Sequence, residues 1–201
     1  MPANRLFRAK KREGEKMCKG TLFHYVLYQN PSSLSKADKE TIVETFGNRM
    51  VKGEVCLDIT ATNVKRDLDN REYSAIAFVR NANMPEGAKD EGSGALQYYD
   101  WCEQGKPQLW VNDLCRVTEL QKDQAKPVTS PIECLLLLLE DLAKEKHQEY
   151  LYLMVDHDKR DVLAPIYRKY GFDITQDCDF TESIIMRKPL PHSSKTRKHR
   201  R

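Results

Sequence analysis

Few residues in this 201-residue chain are of types that do chemistry in clusters. The six cysteines, at 18, 56, 102, 115, 134 and 178, form no Cys-x-x-Cys pair, and histidine occurs only at 24, 147, 157, 192 and 199, so no zinc-ligand spacing assembles from local sequence. No metal is expected. Cys115 and Cys134 sit in apolar patterns and read as small core residues, and the cysteine usage as a whole reads as that of a reducing intracellular compartment, cytoplasmic or nuclear. Three stretches remain: the tyrosine-rich "APIYRKYGF" (164–172), the polar pair Asn112-Asp113 inside the otherwise apolar "QLWVNDLCRV" (108–117), and "SPIE" (130–133) at the head of a leucine run. A short helix closed by Gly-Phe is a packing unit in many proteins, and it also closes the fold of one large enzyme superfamily.

The elements that must position these stretches are legible from periodicity. "TLFHYVLYQ" (21–29) is rich in aromatic and β-branched residues and ends at Asn30-Pro31, which predicts a strand. From Ser35, a cap, a helix runs toward residue 50 with Ile42, Val43, Phe46 and Met50 at helical spacing. Alternation predicts strands at 72–80, 95–102 and 108–117, separated by a polar Gly-rich loop (81–94) and the turn "EQGKP". Short connections favour an antiparallel meander.

Ser130 as cap, Pro131 at the first helical position and Glu133 completing a capping box predict a helix over 131–147, with Leu135, Leu136, Leu139, Leu142 and Ala143 inward and Glu140, Lys144 and Glu145 in water. The nearly continuous apolar "EYLYLMV" (149–155) reads as a strand covered on both faces. A helix over 161–170, closed by Gly171 in the left-handed position, and a strand over 181–188 complete the order. Strand 108–117, helix 131–147 and strand 149–155 make one right-handed parallel βαβ unit joined to the meander. The fold class is therefore mixed α/β, with a mostly antiparallel central sheet and helices on both faces.

Length allows one ordinary domain, placed at 21–188. The longest apolar run, Leu135 to Leu139, is stopped by Glu140 and Asp141, far short of the roughly 18 to 20 residues that span a membrane, so no membrane contact is expected. Glu13 and Glu15 and the lack of Ser argue against a transit peptide, and no secretory apolar region follows the first basic residues. The formal charge of +3 conceals a separation: residues 1–20 carry +5, 187–201 carry +7, and the body between them −9. Basic ends of this kind suit nucleic acid, another polyanion or an import receptor, or are solvated flexible arms, here 1–20 and 189–201.

The element order, with "LLLLLEDLAKEKHQEYLYLMV" followed by "LAPIYRKYGF", resembles the GNAT acetyltransferase superfamily over roughly residues 21–188. The resemblance implies the acyl-CoA N-acyltransferase fold, with acetyl-CoA in a cleft where strands 108–117 and 149–155 splay apart. It implies an N-acetyltransferase acting on a basic amine acceptor: a lysine or N-terminus of a basic peptide, or a polyamine. Acetyl transfer needs an N–H donor for the developing oxyanion and an acid for the departing thiolate. By resemblance Tyr167 is that acid and Asp113, through water, the base; the alternatives are a Tyr167 ring that only packs and a surface carboxylate. The implied acetyl-CoA contacts are Cys115, Val117, Lys126, Thr129, Ser130 and Ile132. An acidic cleft mouth, with Asp156, Asp158, Asp177, Asp179 and Glu182, suits a cationic acceptor.

The sequence departs from the family at its phosphate loop, Gln/Arg-x-x-Gly-x-Gly/Ala. Pro127, Ser130 and Ile132 fall on those positions, Pro131 removes one N–H, and Lys122, Lys126, Thr129 and Ser130 are the available substitutes. The family's asparagine near the start of its fourth helix is also missing, with Arg160 or Asp161 there. Two further readings follow: a GNAT-fold protein without catalysis whose basic ends dock on nucleic acid or a larger particle, and a nucleic-acid-binding α/β protein of another family.

Overall fold

A computed structural model of the chain describes residues 9–44, 61–69, 73–85, 88–99, 107–119, 129–175 and 183–191. In chain order these form β1 (Lys10–Cys18), β2 (Thr21–Gln29), α1 (Lys36–Ile42), α2 (Ala61–Asp69), β3 (Tyr73–Asn81), β4 (Lys89–Tyr99), β5 (Gln108–Glu119), α3 (Pro131–Glu145), β6 (Tyr150–Asp156), α4 (Arg160–Lys169), β7 (Asp173–Thr175) and β8 (Ser183–Pro189). The eight strands make one sheet in the order β1-β2-β3-β4-β5-β6-β8-β7. Every neighbouring pair is antiparallel except β5 and β6, which are parallel across the α3 crossover.

Alternation along the strands divides the core by sheet face. Leu109, Val111, Leu151, Leu153 and Val155 join Leu135, Leu139 and Leu142 of α3 and Ala164 of α4 in the larger cluster. On the opposite face Tyr28, Ile76, Ala95 and Cys115 meet Ile42 of α1 and Val64 and Leu68 of α2. This is the mixed sheet covered on both faces that the patterning predicts.

Four expectations need correction. First, residues 10–18 are not a flexible arm: they are the edge strand β1, joined to β2 by the turn Lys19-Gly20 with φ of 45° and 83°. The cations that hid this strand from hydropathy are what dock it. Arg12 donates from both terminal nitrogens to the Glu145 carboxylate at 2.9 Å, and Lys16 reaches Asp141 at 2.6 Å, both acids lying on α3.

Second, half of the Gly-rich "loop" at 81–94 is strand, because β3 runs to Asn81 and β4 begins at Lys89. Glycine serves close approach here. A Cβ on Gly94 would stand 2.9 Å from a Leu114 methyl and 3.0 Å from a Leu135 methyl, and one on Gly92 would stand 3.2 Å from Pro131. The missing side chains let α3 lie directly on β4.

Third, Glu140 does not face water. It is 7% exposed and accepts from Lys188 at 2.5 Å and Lys144 at 2.7 Å, so the charge is buried with two partners. Burial alone would raise its pKa, but the hydrogen bonds and charges of the two lysines outweigh it and hold the carboxyl below its ordinary value.

Fourth, Cys134 is buried as expected but is no free thiol. It forms a disulfide with Cys18, 116 residues away, with Cα atoms 5.6 Å apart, and Cys115 is disulfide-bonded as well. A pair this distant leaves no local spacing to read, so the inference of a reducing compartment loses its basis. In the chain-entropy account a loop of this length is worth about 4–5 kcal/mol of stability.

The remaining boundaries agree closely. Gly171 closes α4 at φ 87°, and Ser35 caps α1 by accepting from the Asp38 N–H. The expected helix residues Phe46 and Met50 and the tail 192–201 lie outside the described residues, as do residues 1–8. At the C-terminal end Arg187 sits over the Tyr150 ring at 4.8 Å and Lys188 is bound to Glu140, so both belong to the sheet rather than to a basic tail.

Candidate active site

Two strand irregularities build the candidate cleft. In the β4–β5 ladder Ser93 pairs with Cys115 and Ala95 with Asn112, so Gly94 alone stands opposite both Asp113 and Leu114. The extra residue makes a bulge, which bends β5 and re-aims its backbone groups. On the other side of β5, Trp110 and Tyr152 are the one registered pair with β6 among the described residues. The bulge begins three residues beyond that pair along β5.

The candidate side chains lie on both faces of the sheet. Tyr167 on α4 is partly buried against the cluster that also takes Leu114 from the bulge, and its ring meets Phe172 edge-on at 6.3 Å. Burial, with a smaller contribution from Tyr170, raises the pKa of its phenol, which keeps it a proton donor at neutral pH. On the opposite face the Asn112 amide donates to Gln97 Oε1 and, at 3.2 Å, to the Tyr99 hydroxyl, which itself donates to Gln97 Oε1 at 2.8 Å. Beneath this network Trp110 stacks on Tyr152 at 5.2 Å and meets Tyr99 edge-on at 6.2 Å.

The expected contact residues divide. Asp113 and Val117 lie on the β5 backbone at and beyond the bulge, whereas the Cys115 side chain is buried on the α1–α2 face and disulfide-bonded, leaving it only backbone to offer. Thr129 Oγ1 donates to the Lys19 carbonyl at 3.3 Å, and Ser130 Oγ accepts from the Ile132 N–H at 3.3 Å. The Ile132 side chain packs on the core. Lys122 and Lys126 lie outside the described residues, as do Asp177, Asp179 and Glu182. Of the acidic mouth, Asp156 pairs with Lys159 at 3.2 Å and Asp158 is exposed.

The first turn of α3 is consumed by its own chain. Pro131 has no N–H, the Ile132 N–H goes to the Ser130 hydroxyl, and those of Glu133 and Cys134 go to the Ser130 carbonyl. The expected capping box is only half made, since the Glu133 carboxylate pairs with Lys19 instead of folding back. No first-turn N–H is left for a phosphate.

Cations stand beside that turn, and the sequence reading missed them. The Tyr170 phenol lies within electrostatic reach of Glu133, Lys19 and Arg116; burial first, and then Glu133, raise its pKa against the two cations. Arg116 pairs across the ladder with Gly92, the glycine under Pro131, and is held at 3.1 Å by Asp90, a fully buried carboxylate that also accepts from Asn81. The available signal was a lone arginine in an alternating apolar strand. A depression of ≈ 190 Å³ between β1, β2 and α3 is elsewhere, and its charged rim of Arg12, Lys16, Asp141 and Glu145 is already paired.

No group of His, Cys, Asp and Glu among the described residues is placed to hold a metal ion, and no described helix is long and apolar enough to cross a membrane. No family profile and no curated protein matches the chain in sequence. In structure it is similar to a GNAT-family acetyltransferase of Listeria monocytogenes, with a TM-score of 0.53 at 14% identity over 88% of this chain and 100% of that one. An N-acetyltransferase of Staphylococcus aureus gives 0.47 at 12% identity over 83% and 97%. An N-acyl amino acid synthase from uncultured soil microbes gives 0.47 at 13% over 91% and 92%. The strand order, the parallel β5–β6 pair and the α3 crossover together mean that this chain adopts the fold of the GNAT acetyltransferases.

Proposed function

We propose that the chain is an N-acyltransferase that moves the acetyl group of acetyl-CoA to a primary amine. The observation that supports this reading is the β5 bulge three residues past the one registered β5–β6 pair among the described residues, with Leu114 of the bulge and Tyr167 of α4 packed on the same core cluster. In this reading a β5 backbone N–H in the gap holds the thioester carbonyl as its oxygen gains charge. Tyr167, kept protonated by burial, gives its proton to the departing thiolate, and a water relayed to Asp113 takes the proton of the attacking amine. The negative body charge of the chain favours a cationic acceptor, such as a basic peptide or a polyamine.

Acetyl-CoA is held differently here than by a glycine loop. The backbone donors of the first α3 turn are spent, so the pyrophosphate depends on side-chain cations, with Arg116 fixed by Asp90 and Lys19 facing the same turn. The test is the Tyr167→Phe variant, which should keep its fold and its affinity for acetyl-CoA while losing turnover.

The self-capped first turn of α3 favours a second reading, a GNAT-fold protein without catalysis that serves assembly. Its docking on nucleic acid through residues 1–20 has less charge to use than the composition suggests, because Arg12, Lys16 and Lys19 are paired with acids of α3. The basic run 195–201, outside the described residues, adds five cations of its own. Absence of acetyl-CoA binding, together with polyanion binding that falls steeply with salt and with removal of residues 191–201, is the outcome this reading requires.

A further inference from the structure

The Cys18–Cys134 disulfide joins two places that matter to the proposed coenzyme site. Cys18 is the last residue of β1 and immediately precedes Lys19, while Cys134 lies in the first turn of α3. Besides the disulfide, two contacts tie the Lys19-Gly20 turn to this place: the Lys19–Glu133 ion pair and the Thr129 hydroxyl donating to the Lys19 carbonyl at 3.3 Å. Both are weak. The Lys19 side chain is 71% exposed, and the hydrogen bond is long. Arg12 and Lys16 dock the body of β1 farther along α3, and the covalent link is the tether that fixes the hairpin tip, with Lys19, at the first turn of that helix.

We propose that this disulfide is a redox-controlled positioning device: oxidised, it holds Lys19 beside Arg116 and Tyr170 at the first turn of α3, where Lys19 exchanges Glu133 for an anionic phosphate; reduced, it releases Lys19 and weakens that binding. The proposal rests on reading this turn as the place of the coenzyme's pyrophosphate. Exposure of the Lys19 ammonium is consistent with the exchange, since a ligand reaches it without unpacking the core. Cys18 and Cys134 are themselves buried, so reduction proceeds through fraying of the hairpin tip. The reductant is a dithiol. Its thiolate attacks one sulfur to form a mixed disulfide, and its second thiol closes on the first. Two electrons and two protons pass to the protein, which leaves with two thiols, and the reductant leaves as a cyclic disulfide.

The experiment titrates the full chain with acetyl-CoA and, separately, with inorganic pyrophosphate in four forms: oxidised, reduced with dithiothreitol, Cys18→Ser/Cys134→Ser, and Lys19→Ala with the disulfide intact. The double variant leaves the bond of Cys115 in place and so isolates this pair. Loss of one charge-assisted contact predicts affinity about tenfold lower in each of the last three forms. Reducing the Lys19→Ala protein should cost nothing further, a result that a purely structural disulfide would not give. Equal affinity for both ligands in the oxidised and reduced forms, or an undiminished effect of reduction in Lys19→Ala, overturns the proposal. So does failure of both ligands to bind any form. Redox-dependent binding of pyrophosphate without binding of acetyl-CoA would keep the device and discard the acetyltransferase reading, whereas acetyl-CoA bound equally in both states would do the reverse. Where the double variant fails to fold, the reduced and Lys19→Ala forms decide alone.

Discussion

The bulged strand β5 and the first turn of α3 lie on adjoining elements of this fold, yet they use their residues differently. The strand keeps what the proposed chemistry asks for: a bulge, a single registered pair with β6 among the described residues and, on α4, a half-buried phenol nearby in the core. The α3 turn has turned inward, with its N–H groups on Ser130 and its acid on Lys19. The contrast follows from what each region must satisfy. A bulged strand belongs to the packing of the whole sheet, and it persists as long as Gly92 and Gly94 admit α3. A phosphate cradle depends on a few backbone atoms, so one proline and one branched residue remove it without disturbing the fold.

The sharpest way to break the contrast is at Tyr167. Tyr167→Phe should lower turnover by about 10²-fold, within the range that proton donation commonly supplies, with the thermal midpoint and acetyl-CoA affinity unchanged. Unchanged turnover would make the cleft as inert as the α3 turn.

The next largest effect is expected at Glu140, whose paired charge anchors α3 to β8. Removing it in Glu140→Ala takes away two charge-assisted hydrogen bonds and should cost about 2 kcal/mol in denaturant unfolding. Because the folded-state pKa is lowered, this stabilisation is present above about pH 4.3, the unfolded value, and disappears as the pH falls through the folded value. Glu140→Gln should therefore show a shallower loss of stability on acidification than the parent chain.

Gly94→Ala probes the scaffold that the cleft relies on. The added methyl meets Leu114 and Leu135, both ends of flexible side chains, so about 1 kcal/mol is expected, together with a displaced bulge and slower turnover. The smallest effect is expected at the inward-turned region. Glu133→Gln frees Lys19 and removes a negative charge beside the proposed phosphate position, and affinity for acetyl-CoA should rise by a few fold, measured at low salt. A fall in affinity would mean that Glu133 orients Lys19 rather than competing for it.

Much of the fold was legible because its signals are local. Ser130-Pro131 started α3, Gly171 ended α4, the alternation in β3 and β5 set their faces, and the continuous apolar run of β6 marked a strand covered on both. What was missed is held by long-range pairing. β1 has no apolar period, since its inward side chains are Arg12, Lys16 and Cys18, each matched to a residue of α3 more than 110 positions away. Glu140 followed the helical pattern of a solvated residue, and the distant Lys188 joins the local Lys144 in pairing its buried charge. At the site, the tyrosine of "APIYRKYGF" was visible as a motif. Arg116 and Lys19 were not, because their meaning comes from a ladder register and a hairpin turn.

Whether the cleft works despite the closed turn is answered most directly by calorimetric titration of the oxidised full-length chain with acetyl-CoA. The account predicts saturable binding with a dissociation constant on the order of micromolar, accompanied by a rise in thermal midpoint. Absence of heat and of any thermal shift at about millimolar ligand, well above the Kd expected of a working site, would contradict it and leave "APIYRKYGF" as the element that closes a sheet.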